Sequence, residues 1–311
     1  MSKTPLDIPT RPFGRTGERV SIIGLGGWHL GTPPTDRAAV RLVHAAIDAG
    51  ITFLDNAWDY NDGLSEERMG KAIVDRRDRV FLMTKVCTHG RDSKVAMRQL
   101  EDSLRRLRTD HLDLWQIHEV VFDDEPARHF ARGGVVEALD RAREQGKVRY
   151  VGFTGHKSPA LHQAMLAHDY PWDACQLPLN CFDASFHSFE RQVLPELNRR
   201  GIAAIGMKSL GGDARAVTAK MVSAEEALAY ALSLPVATVV SGIDTMGVLK
   251  QNLSVARGFR PMIARARQAL RRRVAAHAAD GRFELYKISV AFEGNETRRV
   301  HGLPPQGDLP A

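Results

Sequence analysis

Residues 36–60 read DRAAVRLVHAAIDAGITFLDNAWDY, and this stretch contains a complete helix-to-strand unit. Asp36 opens a run in which apolar residues return at helical spacing, and Gly50 stops it just before Ile51. ITFLD then reads as a short apolar strand that ends in a carboxylate. The same alternation continues almost from end to end of the chain. Apolar runs begin near Ser21, Ile51, Val80, Leu112, Arg149, Trp172, Ile202 and Val236, about 31 residues apart, in keeping with ~250 residues for eight βα units. A second clear helix start is Ser223 with Glu226 three residues later, a capping box before ALAYALS, and Gly201 stops a helix before Ile202. The pitch predicts an α/β protein built as a closed (β/α)8 TIM barrel.

An open doubly wound sheet is the competing α/β architecture. It would mark its first strand-helix turn with a full dinucleotide fingerprint, and Gly24-Leu25-Gly26-Gly27-Trp28-His29 has histidine at the third glycine position. No linker or shift of composition divides the chain, which reads as one domain with a barrel core over about 12–258. From about Pro261 to Ala279 a further helix is expected. Residues 280–311, rich in glycine and proline, read as an irregular tail whose Phe283, Tyr286 and Phe292 pack on the barrel.

Composition narrows the function classes. The chain has 311 residues, 43% of them hydrophobic, and a formal charge of +6, so anionic ligands from a phosphorylated cofactor to a nucleic acid are open. The densest basic stretch, PMIARARQALRRR, has no aromatic residues to stack on bases and reads as a solvated helix face, so no nucleic-acid partner is expected. No apolar run reaches the length of a membrane span and the start lacks the apolar core of a secretory signal, which makes a cytoplasmic protein with no membrane partner the expectation. Cys87, Cys175 and Cys181 show no paired spacing, and neither they nor the histidines have the spacing of a zinc site; no metal is expected.

In barrels of this type the working residues stand at the carboxyl ends of the strands. Here Asp55 ends ITFLD, Lys85 ends VFLMTK, His118 ends LDLWQIH, Thr154 ends YVGFT, Gln176 ends WDACQ and Lys208 ends IAAIGMK. Any one of these has a plain explanation as a solvated loop residue. Together, a carboxylate, an ammonium and an imidazole converging on one mouth are costly to desolvate unless paired. Tyr60, in the loop AWDYND, is within reach of the same mouth, where a nearby Lys85 would lower its phenol pKa and Asp55 would hold Lys85 in place.

The segments FLDNAWDY, FLMTKV, DLWQIH, GKVRYVGFTG and GVLKQN together resemble the aldo-keto reductase superfamily over roughly residues 12–258. The resemblance implies hydride transfer from NADPH, with NADH as the alternative, to an aldehyde or ketone. Tyr60 would be the general acid, Lys85 and Asp55 its supporting pair, and His118 the residue that orients the carbonyl. It implies cofactor contacts at Gly26, Thr154, Gln176, Asn180, Met207, Lys208, Leu210, Gly242, Gln251 and Asn252. The chain departs from the family pattern at Gly155, where an asparagine is usual, at Met207, where a tyrosine often stands, and at Val248, where many members carry an arginine. Trp28, Trp58, His89 and Phe122 follow strand ends and are candidates for a substrate pocket wall. Two other readings stay open: a Schiff-base lyase that uses Lys85, and a nicotinamide-binding redox sensor with little turnover.

Overall fold

The computed structural model describes residues 7–87 and 92–308. A hairpin of β1 (Thr10–Pro12) and β2 (Arg19–Ser21) precedes a closed barrel. Its strands are β3 (Ile23–Gly26), β4 (Phe53–Asp55), β5 (Phe81–Val86), β6 (Leu112–Ile117), β7 (Val148–Thr154), β8 (Ala174–Pro178), β9 (Ala203–Met207) and β10 (Thr238–Gly242). All eight neighbour pairs are parallel, and β10 closes on β3. This is the (β/α)8 TIM barrel that the repeat predicts. One adjustment concerns its start: Ser21 ends the hairpin, and the first barrel strand begins two residues later.

The local signals are built as written, with one shift. Thr35, not Asp36, caps the first helix by accepting from Ala38 N. Asp36 sits in that helix's first turn, where a carboxylate complements the helix dipole, and pairs with Arg68 and Lys71. Ser223 and Glu226 form the reciprocal capping box, and Gly50 and Gly201 take the left-handed backbone that ends a helix. The helix Ala264–Ala278 follows the barrel. The tail is less irregular than expected, with helical turns at Leu285–Ile288 and Asn295–Val300.

Inside the barrel, alternate residues point inward. Phe53, Phe81, Met83, Leu114, Ala174, Ala203, Ile205 and Val240 form one apolar cluster, plugged by Phe13 and Val20 of the hairpin. The Phe13 ring lies 4.7 Å from that of Phe81. Two residues further along, the same inward positions become polar: Asp55, Lys85, Gln116 and Gln176, all buried. Period two on these strands therefore fixes an apolar floor with a polar layer above it.

Candidate active site

Lys85 is the centre of that polar layer. Its ammonium donates to Asp55 Oδ1, to Asn56 O at 2.8 Å and to the Tyr60 hydroxyl at 3.1 Å. Three protons meet three acceptors, which satisfies a buried cation as burial demands. Asp55 accepts a further bond from Gln176 Nε2 at 3.2 Å through its other oxygen. The Tyr60 ring is wedged edge-on between Trp28, at 5.4 Å, and His118, at 5.6 Å between centroids. The four residues expected at one mouth are thus brought together.

Asp59 belongs to the same group and was not singled out from the sequence. Its Oδ1 lies 3.2 Å from His118 Nδ1. Burial alone would raise the Asp59 carboxyl, but the His118 ring and Lys85 outweigh it and hold it below the usual carboxylate range. Gln116 was also missed. Both of its amide atoms are buried without a hydrogen-bond partner among the described residues. Its place two residues before His118 on the inward side of β6 was a signal that could have found it.

One expectation is corrected. Burial first, then the carboxylates of Asp55, Asp59 and Glu119, push the Tyr60 phenol well above its ordinary value. The lowering expected from Lys85, 3.1 Å away, is outweighed by burial and by these carboxylates, Asp55 first among them. The Tyr60 phenol therefore keeps its proton across the usual pH range.

Among the residues expected at the cofactor, Thr154 and Gln176 are paired across β7 and β8, and both are buried. Gln176 retains a buried carbonyl oxygen with no partner among the described residues, an acceptor that fits a carboxamide NH2. Gly26, Gly242 and Asp55 sit level with one another, since Gly26 pairs with both of the others. A Cβ on Gly26 would come within 2.9 Å of Ser241 O, and one on Gly242 would run into the His29 ring. Met207 ends β9, with Lys208 and Leu210 in the loop after it. Gly155 is explained by space: a Cβ there would lie 2.4 Å from Val120 O, so no asparagine side chain can be accommodated.

Other cofactor candidates are engaged elsewhere in the protein. Asn180 donates to Glu284 Oε1 and Tyr286 OH, each at 3.0 Å, and to Lys208 O. The Lys208 ammonium lies over the rings of Tyr286 and Phe292; burial, with Lys85 adding to it, lowers its pKa. Gln251 donates to Glu225 and Asn252 to Ser241. Gln251 also lines a cavity of about 550 Å³ with Lys220, Ser223, Glu225 and Arg273.

The tail lies across the mouth. Lys157 pairs with Glu293, Glu119 accepts from Gly294 N and Thr297 Oγ1, and His301 stacks on Phe122 at 3.6 Å while meeting Glu125. Of the expected pocket wall, Trp28 faces Tyr60, Phe122 is held by the tail, and Trp58 packs on Arg106 at 5.5 Å. His89 lies outside the described residues.

Comparison with known proteins places the chain in a family. The model of the aldo/keto reductase family matches residues 22–219. By sequence the chain is similar to the 6-dehydroglucose reductase of Novosphingobium aromaticivorans, 33% identical over 235 residues, covering 68% of this chain and 72% of that protein. It is also similar to the methylglyoxal reductase YeaE of Escherichia coli, 35% identical over 131 residues, which is 42% of this chain and 44% of that one. In three dimensions it resembles the aldo/keto reductase from Klebsiella pneumoniae solved with NADP and acetate, with a TM-score of 0.69 at 25% identity over 84% of this chain and 94% of that one. No helix among the described residues is long and apolar enough to cross a membrane. The match spans seven of the eight barrel strands and every residue around Tyr60, and the chain accordingly belongs to the aldo/keto reductase family of NAD(P)H-dependent oxidoreductases.

Proposed function

We propose that this protein reduces small polar aldehydes with NADPH, and that Tyr60 donates the proton. The observation that carries the reading is the convergence of the Tyr60 hydroxyl on Lys85 Nζ at 3.1 Å beside the His118 ring. A bound dihydronicotinamide supplies the hydride. The protein's own groups manage the charge that appears on the substrate oxygen. The Tyr60 phenol is protonated and adjacent to a fixed ammonium, so its proton passes to the developing alkoxide while Lys85 steadies the phenolate left behind. His118, held by Asp59, orients the carbonyl. Thr154 and Gln176 would hold the carboxamide, with Gly26, Met207, Lys208, Leu210 and Gly242 along the rim. Gln251, which lines the 550 Å³ cavity, and Asn252 next to it in sequence would meet the adenosine end.

The substrate class follows from the relatives' names, a sugar aldehyde and a 2-oxoaldehyde, and from the polar lining of the mouth. NADPH is favoured by the NADP-bound structural relative and the positive charge of the chain. The Schiff-base reading is disfavoured by Lys85 itself, whose ammonium already serves three acceptors and offers no lone pair. Tyr60→Phe is the test. It should lower kcat for aldehyde reduction by at least about 100-fold, the lower bound for losing a positioned acid, and leave the Kd for NADPH within about twofold by tryptophan quenching. Unchanged turnover in that variant contradicts the assignment.

A further inference from the structure

Beside Tyr60, three side chains from three different strand ends meet: Asp59 in the loop after β4, Cys87 directly after β5 and His118 directly after β6. Asp59 Oδ2 lies 3.8 Å from Cys87 Sγ, and Asp59 Oδ1 lies 3.2 Å from His118 Nδ1. Ligand atoms of all three residues fall within 4.8 Å of one another. Asp59 Oδ1 and His118 Nδ1 are buried atoms that complete no hydrogen bond of proper geometry among the described residues, although they face each other. The Asp59 and His118 side chains are about nine-tenths buried and Cys87 is fully buried, so the three ligands face one another inside the mouth.

A carboxylate, a thiol and an imidazole are the donor set that a borderline-soft cation such as zinc takes from proteins. The spacing also meets that ion's demands. With bonds of roughly 2.3 Å to sulfur and 2.0–2.1 Å to nitrogen and oxygen, tetrahedral angles put the oxygen and nitrogen about 3.3 Å apart and the sulfur and oxygen about 3.5 Å apart. The observed 3.2 Å is measured from Asp59 Oδ1 and the 3.8 Å from Oδ2, and with one ligand atom taken from each residue the three lie within 4.8 Å of one another, so a small turn of the side chains brings them onto one ion.

We propose that Asp59, Cys87 and His118 form a three-ligand site for a zinc-like divalent cation, with the fourth position left to water. As the metal–sulfur bond forms, the thiol proton passes to solvent. The site shares His118 with the reductase reading but rests on its own geometry. No single stretch of sequence could display it, because its ligands lie on three separate βα units.

Cobalt(II) tests this with a spectrum instead of an activity. The full-length protein, stripped with a chelator, should bind one equivalent of Co2+ and develop a thiolate-to-cobalt charge-transfer band that Zn2+ abolishes. Cys87→Ser should remove the band and weaken Co2+ at least tenfold, while aldehyde reduction by the metal-free variant stays within about twofold of the parent. Asp59→Asn, which keeps the side-chain shape, should weaken Co2+ by a similar factor with the band retained at saturation, and it serves if the buried serine impairs folding. Absence of a thiolate band in the parent, or an unchanged Co2+ affinity in both variants, overturns the proposal. Those outcomes leave the reductase reading untouched, and loss of turnover with NADPH would leave the cobalt spectrum untouched.

Discussion

Replacing Lys85 with methionine isolates what the Asp55–Lys85 pair does. The two side chains are 5% and 1% exposed, so removing the ammonium strands a buried carboxylate. Among the described residues, Asp55 then keeps only the Gln176 amide, at 3.2 Å, as a side-chain partner. Breaking a buried pair by removing one partner costs about 3–5 kcal/mol, because the remaining charge is uncompensated. At roughly 2 °C per kcal/mol for a chain of this size, Lys85→Met should lower Tm by about 6–10 °C in calorimetry. Asp55→Asn combined with Lys85→Met removes both charges and should recover most of that loss, which a double-mutant cycle would report as a strong coupling. Activity should behave differently. The double variant still lacks the ammonium 3.1 Å from the Tyr60 hydroxyl, and it should remain at least about 100-fold slower than the parent in aldehyde reduction. A double variant that regains both stability and turnover would refute the reasoning, as would a single variant as stable as the parent.

Three further outcomes follow from the site. Gly155→Asn, which restores the residue usual in the family, should cost about 1–3 kcal/mol in urea unfolding because Val120 O stands 2.4 Å from the new Cβ; tighter NADPH binding with no loss of stability would show that the loop has room. Because the Tyr60 phenol is pushed up, chiefly by burial, kcat/KM should show no alkaline loss attributable to Tyr60 below the ordinary phenol range, and a limb near neutral pH that vanishes in Tyr60→Phe would contradict this. Burial lowers the His162 pKa from 6.5 to about 4. The unfolded chain therefore binds the extra proton first, and stability should fall as pH drops from about 6.5 to 4, by up to ~3 kcal/mol. Denaturation curves of His162→Gln should lack that part of the slope.

The barrel was legible because its signal is periodic. Gly50 and Gly201 punctuate helices, the apolar runs return at a steady pitch, and the polar residues closing those runs fall at the mouth. The hairpin was hidden because Thr10–Pro12 and Arg19–Ser21 are too short to display a period, and Ser21 merged with the strand that follows. Gln116 and Asp59 were passed over for different reasons. Gln116 lies inside an apolar run, where only the inward alternation from Leu114 to His118 marks it. Asp59 stands beside Tyr60 in a loop, where no period assigns a direction. Contacts of the tail, such as Lys157 with Glu293 and Glu119 with Thr297, join residues more than a hundred positions apart and leave no local pattern. The Tyr60 correction is of another kind, since the lysine was rightly placed but the balance between its charge, Asp55 and burial required coordinates.

The measurement that tests the central claim most directly is NADPH consumption by the purified parent protein with glyceraldehyde, methylglyoxal and an open-chain sugar aldehyde. The account predicts turnover with at least one of them, together with quenching of tryptophan fluorescence by NADPH. NADPH binding with no turnover on any of the three would contradict reduction of small polar aldehydes and favour the nicotinamide-binding sensor, and a substrate adduct at Lys85 trapped by borohydride would favour the Schiff-base reading.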